Sequence, residues 1–308
     1  MILSIIFSCE IIFHIEGTSL GILRLFDKFN YTAIHAVICA FTKLIFIGGY
    51  LVLGGKSTII VCVLYMIANV LKHLSLVVIA LYFLEQQIGV KRVLGSSLHN
   101  VDKEFFKYTS WNNIVSAVDV PVKYFDIFII SRISVELVAI YKVFKQVLQI
   151  FATLINPISI VIMPQFSELI AKNKVKDAYI SVNRIRNIVL SGGLVMIGLT
   201  VICGKPLLNI FLGNNFGENI FLFQIMLMVQ VILLSYVSIH PLLLSLGNAK
   251  QNFYIILFSN IVYIASVFIF VSKIGIYAVI MATAIQGGIC IGLKIVFIKR
   301  YMIHNNLI

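Results

Sequence analysis

Charged residues are scarce in this chain. Asp, Glu, Lys and Arg make up 12% of its 308 residues, whereas hydrophobic residues make up 60%. A soluble domain needs more polar surface than this composition supplies. The gaps between apolar stretches are short too, and the longest, residues 85–107, is too small to fold around its own core. The composition therefore excludes an ordinary soluble protein and leaves transport, channel activity, intramembrane enzymology or membrane scaffolding.

Enzyme and metal motifs are also missing. The sequence contains no HExxH, GxSxG or P-loop motif and no CxxC pair among its five cysteines. A net charge of +12 would suggest nucleic acid in a soluble protein. Membrane proteins, however, collect Lys and Arg in their cytoplasmic loops. We therefore expect no metal, no nucleic-acid partner and no enzymatic activity.

Apolar stretches long enough for membrane helices run through the chain. A bilayer core of about 30 Å needs about 20 apolar residues per helix. Residues 220–234 are apolar on nearly every face, which favours helices over the alternating strands of a β-barrel. The sequence predicts an all-α polytopic membrane protein with about nine transmembrane helices. They cover residues 1–15, 30–54, 58–84, 109–131, 134–163, 184–211, 219–247, 252–271 and 275–299.

The distribution of Lys and Arg predicts the orientation. Most Lys and Arg residues outside the apolar stretches lie on one side of the predicted membrane. Lys294, near the end of the last helix, is assigned to the same side. The positive side of a membrane protein faces the cytoplasm. The C-terminus is therefore expected in the cytoplasm, and nine crossings place Met1 outside.

Charged residues within two adjacent helices are the candidates for function, because charge is costly in hydrocarbon. The short turn between helices 109–131 and 134–163 makes them an antiparallel hairpin. Counting from that turn puts Asp119 level with Lys145, and Lys123 level with Lys142. Two interpretations stay open: structural ion pairs, such as Asp119 with Lys145, or a shared water-filled cavity. The six charged residues are Asp119, Lys123, Asp126, Glu136, Lys142 and Lys145.

Three stretches resemble a known family in their order and spacing. Residues 20–30, LGILRLFDKFN, are similar to a G-x-LR-x-x-x-(R/K)-F loop. Residues 126–145 are similar to a helical hairpin with the pattern D-x-x-x before the turn and Y-x-x-x-(R/K) after it. Residues 155–169, INPISIVIMPQFSEL, are similar to a P-x-x-x-x-x-x-P-x-(F/L)-S helix end. Together they resemble Wzx-type O-antigen or capsular polysaccharide flippases of the multidrug/oligosaccharidyl-lipid/polysaccharide exporter superfamily.

The resemblance implies a fold of two six-helix lobes. Residues 1–84 would be helices four to six of the N-terminal lobe, 85–108 the cytoplasmic linker, and 109–308 the complete C-terminal lobe. The first three helices have no counterpart here. We expect a truncated product, a fragment or a misplaced start.

The resemblance also implies a function. Such flippases move undecaprenyl-diphosphate-linked oligosaccharide units from the inner to the outer leaflet of the bacterial cytoplasmic membrane, for lipopolysaccharide or capsule assembly. Lys123, Lys142 and Lys145 would attract the phosphates, and Arg24 would contact them at the cytoplasmic mouth. The acidic residues Asp119, Asp126 and Glu136 would couple transport to H⁺ or Na⁺, or would form ion pairs.

The implied partners are the lipid-linked oligosaccharide, membrane lipids and the polysaccharide polymerase or ligase machinery. No cofactor is expected beyond a coupling ion. Two alternatives remain open: a cation-coupled drug antiporter of the same superfamily, and an inactive truncated scaffold that holds the assembly machinery.

Overall fold

The computed structural model describes residues 16–94 and 103–304, and all regular secondary structure in these ranges is helical. The all-α class is therefore confirmed. The predicted helix 1–15 lies outside the described residues. The chain divides into two compact units, residues 1–100 and 101–308. Their assignment to the two lobes of a flippase stays a prediction.

Four described helices form the first unit. Leu23 of the first helix packs with Leu76, Ala80 and Phe83 of the third in a small apolar core. The second helix packs along the third as its antiparallel neighbour. The helices are α1 (Glu16–Leu25), α2 (Phe29–Val52), α3 (Thr58–Gln87) and α4 (Val90–Leu94).

Eight described helices form the second unit. The last two long helices make a tight hairpin at Gly275, whose φ of 55° suits a residue without a Cβ. The helices are α5 (Lys103–Ser131), α6 (Val135–Ala171), α7 (Val175–Leu212), α8 (Asn214–Glu218), α9 (Ile220–Ser235), α10 (Ile239–Ser245), α11 (Ala249–Ile274) and α12 (Tyr277–His304).

Seven segments of the described chain are long and apolar enough to cross a membrane, which supports a multi-pass protein. The predicted helix 109–131 forms within α5 but is not one of the seven. Its second half carries Asp119, Lys123 and Asp126, which interrupt the apolar run. The seven segments are Asn30–Val52, Thr58–Gln87, Val135–Ala171, Val175–Leu212, Ile220–Ser245, Ala249–Ile274 and Tyr277–His304.

The predicted hairpin between α5 and α6 is confirmed. Only residues 132–134 separate the two helices. Ser134 caps α6, because its hydroxyl accepts a hydrogen bond from the Leu137 N–H at 3.4 Å. Glu136 lies in the first turn, where a carboxylate is favoured by the helix dipole.

The predicted helix 219–247 corresponds to one membrane-crossing segment, Ile220–Ser245, but the helix is not continuous. The structure breaks it at Tyr236–Ser238, between α9 and α10, where i→i+3 bonds replace the regular ladder. Pro241 explains the break, because it has no N–H to donate to the carbonyl of Val237. Hydropathy alone does not reveal such a break, since the residues around it are apolar.

The predicted loop 164–183 is also wrong, because only residues 172–174 separate α6 from α7. An ion pair at 2.5 Å between Glu168 and Lys172, one turn apart, supports the charged end of α6. Asn173, with a φ of 58°, ends the helix. Most of the charged residues in 164–183 therefore belong to the end of α6 and the start of α7, and not to a loop.

Candidate functional site

A cavity of about 290 Å³ lies within the second unit and is lined by both charged and neutral polar groups. Helices α5, α6, α9, α11 and α12 all contribute to it. The charged lining residues are Asp119, Lys123, Asp126 and Lys145, and the neutral polar ones are Tyr141, Gln149, Gln230, Tyr263, Thr283 and Gln286. The helix hairpin predicted to carry the site therefore supplies every charged group of the cavity.

Asp126 is the buried centre of this cavity, with 5% of its surface exposed. One of its carboxylate oxygens accepts a hydrogen bond from the Tyr141 hydroxyl at 2.8 Å and pairs with the ammonium of Lys145. The other accepts the N–H of Ile127 at 2.7 Å. A buried carboxylate needs such partners, because desolvation of an unpaired charge is costly.

Lys145 joins the two helices of the hairpin. Besides pairing with Asp126, its ammonium donates to the backbone carbonyl of Lys123 at 3.1 Å. It also lies 5.9 Å from the ring centre of Tyr141. These contacts fix the position of the cation, while 43% of its side chain stays exposed to the cavity.

A second ion pair, between Lys123 and Asp119, lies on the same face of α5 with 2.9 Å between nitrogen and oxygen. The two side chains are 65% and 31% exposed. An exposed pair of this kind contributes about 0–1 kcal/mol. Lys123 is therefore held much less firmly than Lys145.

The predicted pairing of Asp119 with Lys145 is wrong. Side chains on a helix tilt toward its N-terminus. The N-terminus of α6 lies at the turn, so Lys145 reaches back toward the turn and meets Asp126. The C-terminus of α5 lies there, so Asp119 tilts away from the turn and pairs with Lys123. Counting residues from the turn ignored these opposite tilts.

The remaining predicted site residues lie elsewhere. Lys142 and Glu136 are exposed on α6, and neither lines the cavity. Arg24 lies in α1, within the first unit. Their proposed roles in phosphate contact and ion coupling stay predictions.

Several neutral polar lining residues were not predicted as site residues, because the candidates were chosen by charge. Tyr141 entered only as the Tyr of the Y-x-x-x-(R/K) pattern. Tyr141, Lys145 and Gln149 follow at intervals of four residues, so they share one face of α6. This spacing could have identified Tyr141 and Gln149 as neighbours of Lys145 in the site. Gln286 contacts the buried Asn260 of α11 at 2.6 Å, and that contact depends on how α11 and α12 pack. No local pattern reveals it.

The fold and the cavity define a polytopic α-helical membrane protein with a charged polar site inside its second unit. The sequence profile of a family described as "Polysaccharide biosynthesis protein" matches residues 40–221, more than half of the chain. The chain belongs to this family. Comparisons with curated proteins and with solved structures found no match.

Proposed function

We propose that the chain is a transporter of lipid-linked oligosaccharides. It moves undecaprenyl-diphosphate-linked repeat units from the inner to the outer leaflet of the bacterial cytoplasmic membrane, for O-antigen, lipopolysaccharide or capsule assembly. Membership of a polysaccharide biosynthesis family supports the sugar substrate. The observation that carries the proposal is that Lys123 and Lys145 line one polar cavity inside an otherwise apolar helical unit.

The obstacle to such transport is the diphosphate. Its charge would lose its hydration in hydrocarbon, at a prohibitive cost. Ammonium groups in a polar cavity offset part of that loss through charge-assisted hydrogen bonds. The lipid tail meets no such barrier and stays in the bilayer.

The two lysines have different tasks in this proposal. Lys145 is held by Asp126 and by a backbone carbonyl, so it presents a fixed positive charge. Lys123 is more exposed and paired only with Asp119 among the described residues, so a phosphate competes for it readily. When Lys123 turns to phosphate, Asp119 is left with negative charge that a coupling H⁺ or Na⁺ neutralises.

Neutral side chains complete the site. The amides of Gln149, Gln230 and Gln286 line the same cavity and donate and accept hydrogen bonds, as sugar hydroxyls do. The volume is at the lower end of the range for ligand pockets, roughly 300–1,000 Å³. The cavity therefore fits the diphosphate and the adjoining sugar better than a whole repeat unit.

Genetic complementation tests this function. A flippase-deficient bacterium with a matching glycan would express the chain or its variants, and surface polysaccharide would be measured. We expect the chain to restore the polymer, and Lys145→Met to abolish that rescue. Lys273→Met is the control, because Lys273 is exposed in the last turn of α11, outside the cavity. Correct membrane insertion without any rescue would contradict the proposal.

Export of an organic cation is a second candidate, because Tyr141 and Tyr263 line the cavity beside the carboxylate of Asp126. Aromatic rings and a buried carboxylate are suited to a cation. Efflux of a fluorescent cationic dye from cells that express the chain, without restored surface polymer, would favour this alternative.

A further inference from the structure

A second depression in the second unit lies between α9 and α12, and its volume is about 280 Å³. We call it the apolar groove. From α9 and the turn after it, the lining runs from Val229 to Tyr236, whose hydroxyl is the one polar side-chain group in this described lining. The lining from α12 consists of Ala284, Gly288, Ile291 and Gly292.

Three glycines of α12 shape the groove. A Cβ on Gly287 would overlap the side chain of Leu233, so this glycine lets α12 approach α9 closely. A Cβ on Gly288 or on Gly292 would meet nothing within 4 Å. The space of the groove is therefore left by side chains that these two glycines lack, directly beside a tight helix contact.

The groove continues the polar cavity along the two helices. Val229 lines both, so cavity and groove meet at this side chain. Thr283 of α12 lines the cavity, and Gly292 further along the same helix lines the groove. A rise of about 1.5 Å per residue gives a length of about 10 Å from Val229 to Tyr236. The second unit therefore has a charged compartment that leads into an apolar one.

This pairing suits an amphiphile with an anionic end and a hydrocarbon chain. The ammonium groups of Lys123 and Lys145 lie in the cavity, whereas the groove is apolar and opens on the surface of the unit, where Ile232 is 44% exposed. In a bilayer an apolar lining does not by itself attract hydrocarbon away from lipid. A covalent link to a group bound in the cavity, however, raises the local concentration of a chain at the groove.

We propose that the apolar groove holds the part of the polyprenyl tail next to the diphosphate while the diphosphate lies in the cavity. This assignment rests on the proposed function and adds to it the path by which the tail leaves the charged site. The groove is much shorter than the tail, so the rest of the tail extends into the bilayer. A phospholipid acyl chain is the competing occupant, and it lacks the link to a diphosphate.

Photolabelling tests which chain occupies the groove. The full chain in proteoliposomes would receive undecaprenyl diphosphate with a diazirine on the isoprene unit nearest the phosphates, and mass spectrometry would map the labelled residues. Phosphatidylglycerol with a diazirine in its acyl chain is the comparison. We expect the prenyl probe to label Leu233 and Ile291 at least about tenfold more than the phospholipid probe does, because the diphosphate concentrates its own tail there. Equal labelling by the two probes, or prenyl labels confined to other residues, would overturn the assignment.

A variant that fills the groove gives a second test. Gly288→Leu places a side chain in the space, and the affinities for undecaprenyl diphosphate and for inorganic pyrophosphate would be measured. We expect the affinity for the lipid to fall at least about tenfold through overpacking, and that for pyrophosphate to stay unchanged. An unchanged pyrophosphate affinity also shows that the fold and the cavity are intact.

Gly198→Leu is the matched control, because Gly198 is exposed on α7, away from groove and cavity, and a Cβ there also meets nothing within 4 Å. Equal affinities of the two leucine variants for the lipid would contradict the groove assignment. If the unaltered chain binds neither pyrophosphate nor the lipid, the transport proposal fails and the groove assignment fails with it. If it binds both and the labels lie outside the groove, only the groove assignment fails.

Discussion

The hydroxyl of Tyr141 donates a 2.8 Å hydrogen bond to the carboxylate of Asp126 on the facing helix, and both residues are buried. The bond links α5 to α6 and orients the carboxylate that holds Lys145. A neutral hydroxyl therefore helps to hold a charged centre inside an apolar helical unit, together with Lys145 and the N–H of Ile127.

Removal of that hydroxyl should destabilise the second unit. Tyr141→Phe keeps the ring but deprives a buried carboxylate of a donor, at an expected cost of about 1.5–3 kcal/mol. The midpoint of thermal unfolding in detergent should fall accordingly. Tyr124→Phe is the control, because Tyr124 is an exposed residue of α5 and its loss should leave the midpoint unchanged. Equal midpoints for the two variants would contradict the role of Tyr141.

The pair of Asp126 and Lys145 should show strong coupling. Asp126→Asn leaves the ammonium without its counter-ion, and we expect a loss of about 2–3 kcal/mol. That is less than the roughly 3–5 kcal/mol of a fully buried pair, because the Lys145 side chain is 43% exposed. The double variant with Lys145→Met should recover much of this loss. Additive losses in a double-mutant cycle would show that the two charges do not interact.

Asp119 should behave differently from Asp126. Asp119→Asn breaks only an exposed ion pair, so its cost in stability should stay below about 1 kcal/mol. Its effect on transport should be large, because it removes the charge that links Lys123 to the coupling ion. Unfolding midpoint and transport rate, measured on the same preparation, separate the two effects. A variant with normal transport would remove Asp119 from the mechanism.

Two adjacent glycines of α7 make a packing prediction. A Cβ on Gly193 would overlap the side chain of Val231 on α9, whereas a Cβ on Gly192 would meet nothing within 4 Å. Gly193→Ala should cost about 1–3 kcal/mol through overpacking. Gly192→Ala should be neutral or slightly stabilising, since alanine favours a helix. Unfolding midpoints of the two variants test this, and equal midpoints would mean that α7 and α9 are not in close contact.

Local features of the sequence predicted much of this fold. The α5–α6 hairpin follows from two long helical stretches and a turn too short for any other arrangement. The break at Tyr236–Ser238 did not, because apolar residues surround it and its cause is a single missing donor at Pro241. Lys294 is buried, with 7% of its surface exposed, but it was assigned to the membrane surface because a charge near the end of a span resembles a loop charge. Its burial depends on the packing of α10 and α11 around α12.

The candidate site was predicted in part. The charges of α5 were found because Asp119, Lys123 and Asp126 lie within an apolar stretch, where charge is costly. Their actual partners depend on side-chain tilt and on Tyr141, a residue whose neutral hydroxyl gives no signal in a search for charge. The hydrogen bond between Gln286 and Asn260 joins α12 to α11. The sequence does not show which residues of these two helices lie opposite each other.

The most direct measurement of the central claim is lipid movement in proteoliposomes. A fluorescent undecaprenyl-diphosphate oligosaccharide would be placed in both leaflets, and the fraction reached by a membrane-impermeant quencher would be followed over time. We predict that the purified chain makes the inner-leaflet pool accessible, that Lys145→Met slows this at least about tenfold, and that Lys273→Met leaves it unchanged. An inner pool that stays protected in the presence of correctly inserted chain, or equal rates for the two lysine variants, would contradict the account.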